Sequence, residues 1–393
     1  MPVETPQSSG PEPSFALVAG ELSGDRLGAG LIRALRKRYP QARFEGVTGP
    51  EMVAEGCHSL ADVEALSLFG VGEVIREIPR LLRLRRDLKK HFLTRRPDVF
   101  VGIDAPAFNN TLEAQLRAGG LKTAHYVCPT VWAWRKGRVR HIRRAVDLML
   151  SIFPFELPFL QENGVPARYV GHPLADELPI NPDQAAARRA LRLEAGTQYL
   201  ALLPGSRRSE VAQLGRPLLE TAAWLHERLP ALRFVAPLAT ARVREIFEAQ
   251  VAEFAPDLPL TCVDGQSRAV LTASDTALLA SGTATLEAAL LKTPMVVVYV
   301  LTPFNTVLAR AFGLDRLEFF SMPNLVAGRG LVPEYRQQQV RPDILGMWTY
   351  QLLTSASARQ RQLDGFKAIH EVLRCNADEQ AADAIAALLA DRA

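Results

Sequence analysis

The stretch VFVGIDAPAFNNT, residues 99–111, runs an apolar segment straight into Asp104, with turn-formers and two asparagines after it. Two roles fit an acid there. It could be a turn carboxylate capping the next helix, or a general base at the carboxyl end of a parallel strand. A second stretch, VAGELSGDRLGAG at 18–30, superficially resembles a dinucleotide fingerprint. Glu21 and Asp25, however, fall where a pyrophosphate would lie, and acids repel it. A hydroxyl-rich or amide-bearing ligand is expected there instead.

Two further glycine junctions suit an anion. In LLPGSRRSEV, 202–211, Gly205 lets the backbone approach a ligand. Ser206 begins the expected helix start, and Arg207 and Arg208 are donors that match phosphate. In ASGTATLEAALLKTPMVVVYV, 280–300, the turn is Ser281-Gly282-Thr283. Ser281 or Thr283 could cap the following helix, whose first N–H groups attract anions. Glu287 lies further along the same helix, within reach of a sugar hydroxyl next to a bound phosphate. Neither junction is a Walker sequence, since no lysine follows a glycine at the needed spacing. Together they point to a nucleotide diphosphate. The chain has no D-x-D and no histidine pair at metal-ligand spacing, so no metal site and no cofactor are expected. Leaving-group charge would then fall to helix starts and arginine. Lone histidines such as His58, His125 and His172 read as structural more often than catalytic.

These residues need a scaffold. Short apolar runs alternate with helical patterns: FALVAG (15–20), DVFVGID (98–104) and TAHYVCP (123–129), then YLALLPGSR (199–207), LRFVAPL (232–238) and the strand-turn-helix-strand of 276–300. That is the βαβ signature of a parallel sheet. GHPLADELPINPD, 171–183, carries three prolines and reads as a linker. The expected division is a disordered tail over 1–13, one Rossmann-like domain over 14–178 and a second over 179–345. C-terminal helices over 346–393 are free to cross back to the first domain or to reach a partner chain, which leaves a homodimer open. Ligands of such sheets bind at the carboxyl ends of strands.

With 393 residues, 48% hydrophobic and 22% charged, the composition is that of a soluble globular protein of two domains. A net charge of +4 is too weak to imply nucleic acid. No run of eighteen apolar residues suggests a membrane span. The polar, proline-rich start lacks the features of a secretory signal, and four scattered cysteines argue against disulfides, so a cytoplasmic location is expected.

One segment stands apart. Between residues 73 and 96 there are seven arginines and two lysines against three acids. Val71, Val74, Ile75 and Ile78 follow helical spacing, Pro79 is expected to break the helix or start a second, and Leu81, Leu82, Leu84, Leu88 and Phe92 continue an apolar face. A core helix with a solvated basic face would look like this. So would a basic amphipathic helix at an anionic membrane surface, with Arg76 and Arg83 among the headgroups. The weight of positive charge favours the membrane. Trp132 and Trp134, in a short loop of HYVCPTVWAWRKGRVRHIRR, could pack locally, line a pocket or meet lipid.

Taken together, AGELSGD, LFGVGEV, GIDAPAFN, HYVCPTVWAWR, FPFE, VGHPLAD, LLPGSRRSE, ASGTATLEAALLKTPMVV and MPNLVAGRGLVPEYRQ resemble the lipid-A-disaccharide synthase family over about residues 14–345. The resemblance implies two Rossmann-like domains facing across a cleft, the GT-B type of glycosyltransferase. It implies a UDP-2,3-diacylglucosamine donor and a 2,3-diacylglucosamine 1-phosphate acceptor, joined β-1′,6 without a metal. It also implies a peripheral place on the cytoplasmic face of the inner membrane of a Gram-negative bacterium. By position it makes Asp104 the base, puts Arg207, Glu287, Asn324 and Gln337 on the donor side, and puts Glu21 and Ser23 on the acceptor side. Ala107 stands where the family often has a second acid, so Asp104 would act alone, and Cys128 and Thr130 replace serines. Other UDP-sugar enzymes of this fold, a UDP-N-acetylglucosamine 2-epimerase or a peptidoglycan glycosyltransferase, are the alternative.

Overall fold

The computed structural model describes residues 12–66, 71–129, 137, 139–301 and 317–391, with the backbone alone over 71–77. The chain divides into two compact units, residues 1–173 with 375–393, and residues 174–374.

In the first unit seven parallel strands run in the order β3-β2-β1-β4-β5-β6-β7. They are β1 (Ser14–Ala19), β2 (Arg43–Thr48), β3 (His58–Asp62), β4 (Val99–Ile103), β5 (Lys122–Tyr126), β6 (Leu148–Ser151) and β7 (Ala167–Tyr169). The central strands read as unbroken apolar runs because helices cover both faces. Strand alternation sorts the core. Phe15, Leu17, Val99, Val101 and Ile103 pack with Leu31 and Leu35 of α1 (Leu22–Arg38) and with Ala381 and Ile385 of the last helix, Ala377–Ala390. Ala16, Val18 and Phe100 pack on the other face, against Leu88 and Phe92 of α3 (Val71–Arg95) and Leu112 and Leu116 of α4 (Pro106–Ala118).

Asp25, suspected above of spoiling a phosphate site, is buried at the start of α1. It accepts N–H groups of Gly49, Glu51 and Met52 at 2.7–3.1 Å, at the start of α2 (Pro50–Ala54). It is a helix cap supplied from a distance. The expected break at Pro79 does not occur, and α3 runs through it as one helix of 25 residues. Proline removes one hydrogen bond, and the buried Leu88 and Phe92 anchor the helix beyond it.

The second unit holds six parallel strands in the order β10-β9-β8-β11-β12-β13. They are β8 (Tyr199–Leu203), β9 (Arg233–Leu238), β10 (Leu260–Asp264), β11 (Thr276–Ala280), β12 (Met295–Tyr299) and β13 (Glu334–Arg336). The C-terminal helices, expected as one segment over 346–393, are divided. Pro342–Thr354 and Ala356–Leu373 belong to the second unit, and Ala377–Ala390 belongs to the first. There it lies on α1, tied by Lys37 and Arg38 to Glu379 at 2.7 Å each and by Arg38 to Asp383 at 2.6 Å.

Candidate active site

In each sheet the strand order reverses at one place, between β1 and β4 in the first and between β8 and β11 in the second. Loops after those strands diverge and leave a crevice, where ligands of such sheets bind. Glu21 and Asp104 fall at the first, and Gly205, Arg207 and the 281–283 turn at the second.

In the first unit Glu21 follows β1 and Asp104 follows β4. Asp104 and Ala105 both take positive φ, 53° and 43°. That conformation costs a non-glycine residue about 1–2 kcal/mol, so the surroundings must enforce it. The Asp104 N–H donates to Tyr126 O at 2.9 Å. Buried Asn109 donates through Nδ2 to Asp104 O at 2.8 Å and Val18 O at 3.1 Å, tying the turn to both central strands. Gly20 leaves room, because a Cβ there would collide with Ala105. The helix-cap role is excluded: α4 begins after Ala105 with no side-chain cap.

The Asp104 carboxyl lines a cavity of about 480 Å³ shared with Glu21, Leu66, Leu81, Leu82, Phe108 and Arg85. The walls are mainly apolar, and Arg85 lies 5.9 Å over the Phe108 ring. Burial, and then the charge of Glu21, raise the Asp104 pKa above the ordinary aspartate range, while the His125 charge and the Ala105 N–H pull it down. A raised pKa makes a carboxylate a better proton acceptor than an ordinary aspartate. Ser23 donates to Glu21 Oε1 at 2.5 Å, which fixes that acid at the rim. Ala107 is exposed on the same wall, so position 107 adds no acid to Asp104 and Glu21.

α3 serves two purposes. Its last turns are core, through Leu88 and Phe92, while Ile78 and Leu82 are 43% and 49% exposed at the cavity. Arg83 is exposed beside Leu82. Val71, Val74, Ile75 and Arg76 lie on the same helix, but their side chains are outside the described residues, as are Thr130 and the whole of Trp132 and Trp134.

In the second unit the Gly205 turn follows β8, and the helix Arg208–Arg228 follows the turn. Gly205 has φ +117°, open to glycine alone, and a Cβ would press on Glu210. The amides expected to face a phosphate are engaged. Ser206 and Arg207 N–H both donate to Glu210 Oε2, at 3.0 and 3.2 Å. The turn is therefore not a ready anion cradle, because its own helix supplies the anion. Arg207 is 81% exposed, and its guanidinium is 3.6 Å from Glu210.

The junction after β11 differs. Neither Ser281 nor Thr283 caps the helix Thr283–Leu290. Gly282 holds the N-cap position with no side-chain bond, and Ser281 Oγ donates to Phe320 O at 3.2 Å. Gly282 and Thr283 are exposed, and a Cβ at Gly282 would meet nothing within 4 Å. This start is open to an anion. Glu287, on the same helix, accepts from Arg268 Nε at 2.8 Å, and Arg268 also holds Glu177 at 2.9 Å. Gln337 Oε1 accepts the Leu301 N–H at 2.7 Å.

Asn324 corrects an expectation. It is buried and its amide is fully spent: Nδ2 donates to Val332 O and Glu334, and Oδ1 accepts the N–H groups of Leu331 and Val332. It shapes the loop before β13 and has no donor left for a nucleotide. Glu210, Arg268 and Asn109 were missed. Glu210 was findable, three residues past the helix cap where capping glutamates occur. Arg268 was not, since nothing local links it to Glu287. Among the described residues no group of three or more histidine, cysteine, aspartate or glutamate side chains could hold a metal ion, and no helix is long and apolar enough to cross a membrane.

Comparison with known proteins follows the same lines. The family profile described as lipid-A-disaccharide synthetase matches residues 15–385. Lipid-A-disaccharide synthases of Escherichia fergusonii and Klebsiella pneumoniae are each 50% identical over 372 residues, covering 95% of this chain and 97% of theirs. Among solved structures, a UDP-GlcNAc 2-epimerase from Neisseria meningitidis bound to UDP-GlcNAc superposes with TM-score 0.63 at 12% identity, covering 96% of this chain and all of its own. The calicheamicin glycosyltransferase CalG4 gives 0.57 at 15%, covering 97% and 99%. At such identities the likeness concerns fold, two Rossmann-like domains of the GT-B type.

Proposed function

The chain belongs to the lipid-A-disaccharide synthetase family, and from that premise we propose the reaction and the parts its residues play. The protein is a glycosyltransferase of lipid A disaccharide synthesis that uses a nucleotide-sugar donor. It joins UDP-2,3-diacylglucosamine to 2,3-diacylglucosamine 1-phosphate. The observation that carries this reading is a match of half the residues over nearly the whole length.

In the proposed mechanism Asp104 takes the proton of the acceptor's 6-hydroxyl. The freed oxygen attacks the donor's anomeric carbon from the face opposite UDP. The bond from that carbon to the diphosphate oxygen breaks, its electron pair leaves with UDP, and the α-linkage becomes β in one displacement. A positioned base contributes about 10²–10⁴-fold. The second unit takes the donor. The open helix start at Gly282 and Thr283 and the exposed Arg207 meet the diphosphate charge, Gln337 lies on the same side, and Glu287 accepts from ribose hydroxyls. With these groups in place the reaction proceeds without a metal. The first unit takes the acceptor, with Glu21 and Ser23 at the rim and the apolar cavity walls beside an acyl chain. The alternative, a UDP-N-acetylglucosamine 2-epimerase or a peptidoglycan glycosyltransferase, is not favoured, since half the residues match lipid-A-disaccharide synthases over nearly the whole chain while the epimerase shares 12%. UDP and disaccharide formed only when both acylated substrates are present would support this reading. UDP formed from UDP-N-acetylglucosamine alone would overturn it.

Water-insoluble acyl chains place the enzyme at a membrane surface, peripherally, on the cytoplasmic face of the inner membrane. The basic, partly apolar α3 is the proposed contact, through Val71, Val74, Ile75, Arg76, Leu82 and Arg83. Binding to anionic vesicles should then weaken as salt rises, because exposed charges are screened beyond about 10 Å at 0.1 M. Binding that ignores salt, or survives Arg83→Glu with Leu82→Glu, removes α3 from this role.

A further inference from the structure

Beneath the Asp104 turn lies a buried acid–base pair that the proposed mechanism leaves unused. His125 Nδ1 and Glu113 Oε1 are 2.6 Å apart, and both side chains are fully excluded from solvent. Strand register sets His125 beside Gly102 of β4, on the face that α4 covers. Gly102 makes the pair possible, since a Cβ there would collide with Glu113 Oε1 and press on Asn109. Asn109 and Glu113 lie four residues apart on α4, one above the other on the same face.

These contacts close a ring around the catalytic turn. The Asp104 N–H is held by Tyr126 O, Asp104 O is held by Asn109, and Glu113 grips His125, the neighbour of Tyr126. Inside the ring His125 Nε2 and Glu113 Oε2 are buried with no hydrogen-bond partner among the described residues. As packing alone this is a poor choice, because buried ionic groups with unmet polarity cost more than apolar residues of the same size.

We propose that Glu113 and His125 are a positioning pair for Asp104: Glu113 holds the imidazole in place beneath the strained turn, and the imidazole so held sets the surroundings of the Asp104 carboxyl in an otherwise apolar pocket. This rests on the reading of Asp104 as the base. The groups that bear on the site are Glu21 from the β1–α1 turn, Arg85 of α3 at the cavity wall, Glu113 of α4 and His125 of β5, with His141 acting on Glu113. Burial and Glu21 raise Asp104, and His125 and the Ala105 N–H lower it. Removing His125 leaves only the Ala105 N–H against the first two. The Asp104 pKa then climbs, and the acidic limb of kcat/KM moves to higher pH.

The test compares the full-length protein with His125→Gln and Glu113→Gln. Carboxyl-carbon NMR titrates Asp104, assigned through Asp104→Asn, and kcat/KM is followed with both substrates from pH 5 to 9. In both variants Asp104 should titrate higher than in the wild type. Turnover should fall at the acidic end of the range and return towards the wild-type rate at pH 9, with KM unmoved. A loss of rate uniform across pH, with the Asp104 titration unchanged, would reduce the pair to structure and overturn the proposal. If the titration moves while the rate profile does not, the pair acts on Asp104 as inferred and Asp104 is not the base. Imidazole-nitrogen NMR of the wild type decides the matter even where a variant does not fold, because a His125 signal that does not respond as Asp104 titrates would overturn the inference.

Discussion

The two switch points share a backbone plan and carry opposite charge. After β1 and β4 the turns present two acids, Glu21 and Asp104, over apolar walls. After β8 and β11 they present Arg207, glycines and an open helix start. In the first, a strained two-residue turn is held at the Asp104 backbone by Tyr126 of β5 and Asn109 of α4 and carries one largely buried carboxyl. In the second, Arg207, Gly282 and Thr283 are exposed, and on the proposed reading the backbone N–H groups of the open helix start meet the anion. On the proposed reading the difference follows the chemistry asked of each. A base must be made less comfortable as an anion than it is in water, whereas a diphosphate needs donors already in place.

Asp104→Asn breaks the comparison hardest. Amide and carboxylate have the same shape, so the strained turn and its tethers should survive. UDP affinity, measured by calorimetry, should stay within about twofold, while kcat falls by at least roughly 10²–10⁴-fold. A variant that loses UDP binding together with turnover would mean that the two switch points do not divide the labour.

Arg207→Ala is the matching cut in the second unit. It should cost about 10²–10³ in kcat/KM, the scale of one lost donor to a developing anion, and weaken UDP binding, while the pH profile keeps its acidic limb. Glu210→Gln separates Arg207 from the turn behind it. The neutral amide still accepts the Ser206 and Arg207 N–H groups but frees the guanidinium, so UDP affinity should rise by a few-fold. A fall would show Glu210 to be part of the donor site itself.

Much of this plan was legible in the chain. Apolar runs ending in turn residues marked β1, β4, β8 and β11, because a strand covered on both faces has nowhere to hide a polar residue. Asp104 stood out for that reason. What stayed hidden depends on pairings across the sequence. Asp25 looked like a ligand-site acid until it was seen capping α2, and Asn324 looked like a donor contact until its amide was found spent on residues 331–334. Pro79 misled because local propensity says break, while core contacts of Leu88 and Phe92 further along decide otherwise. His125 read as structural, and only the register beside Gly102 shows what it is built into.

Glu21→Gln gives the smallest effect and the sharpest. Removing its charge takes away one of the two causes that raise Asp104. The Asp104 pKa should fall, and the acidic limb of kcat/KM should move to lower pH, opposite in sign to the shift expected for His125→Gln. Glu21 is exposed and Asp104 is not, so solvent screens most of their repulsion, and the shift should be small and shrink as salt rises. The two variants thus act on one carboxyl from opposite sides, Glu21 from the rim and His125 from the core. Shifts of the same sign would show that neither charge acts on Asp104 directly, and the acidic switch point would owe its chemistry to burial alone.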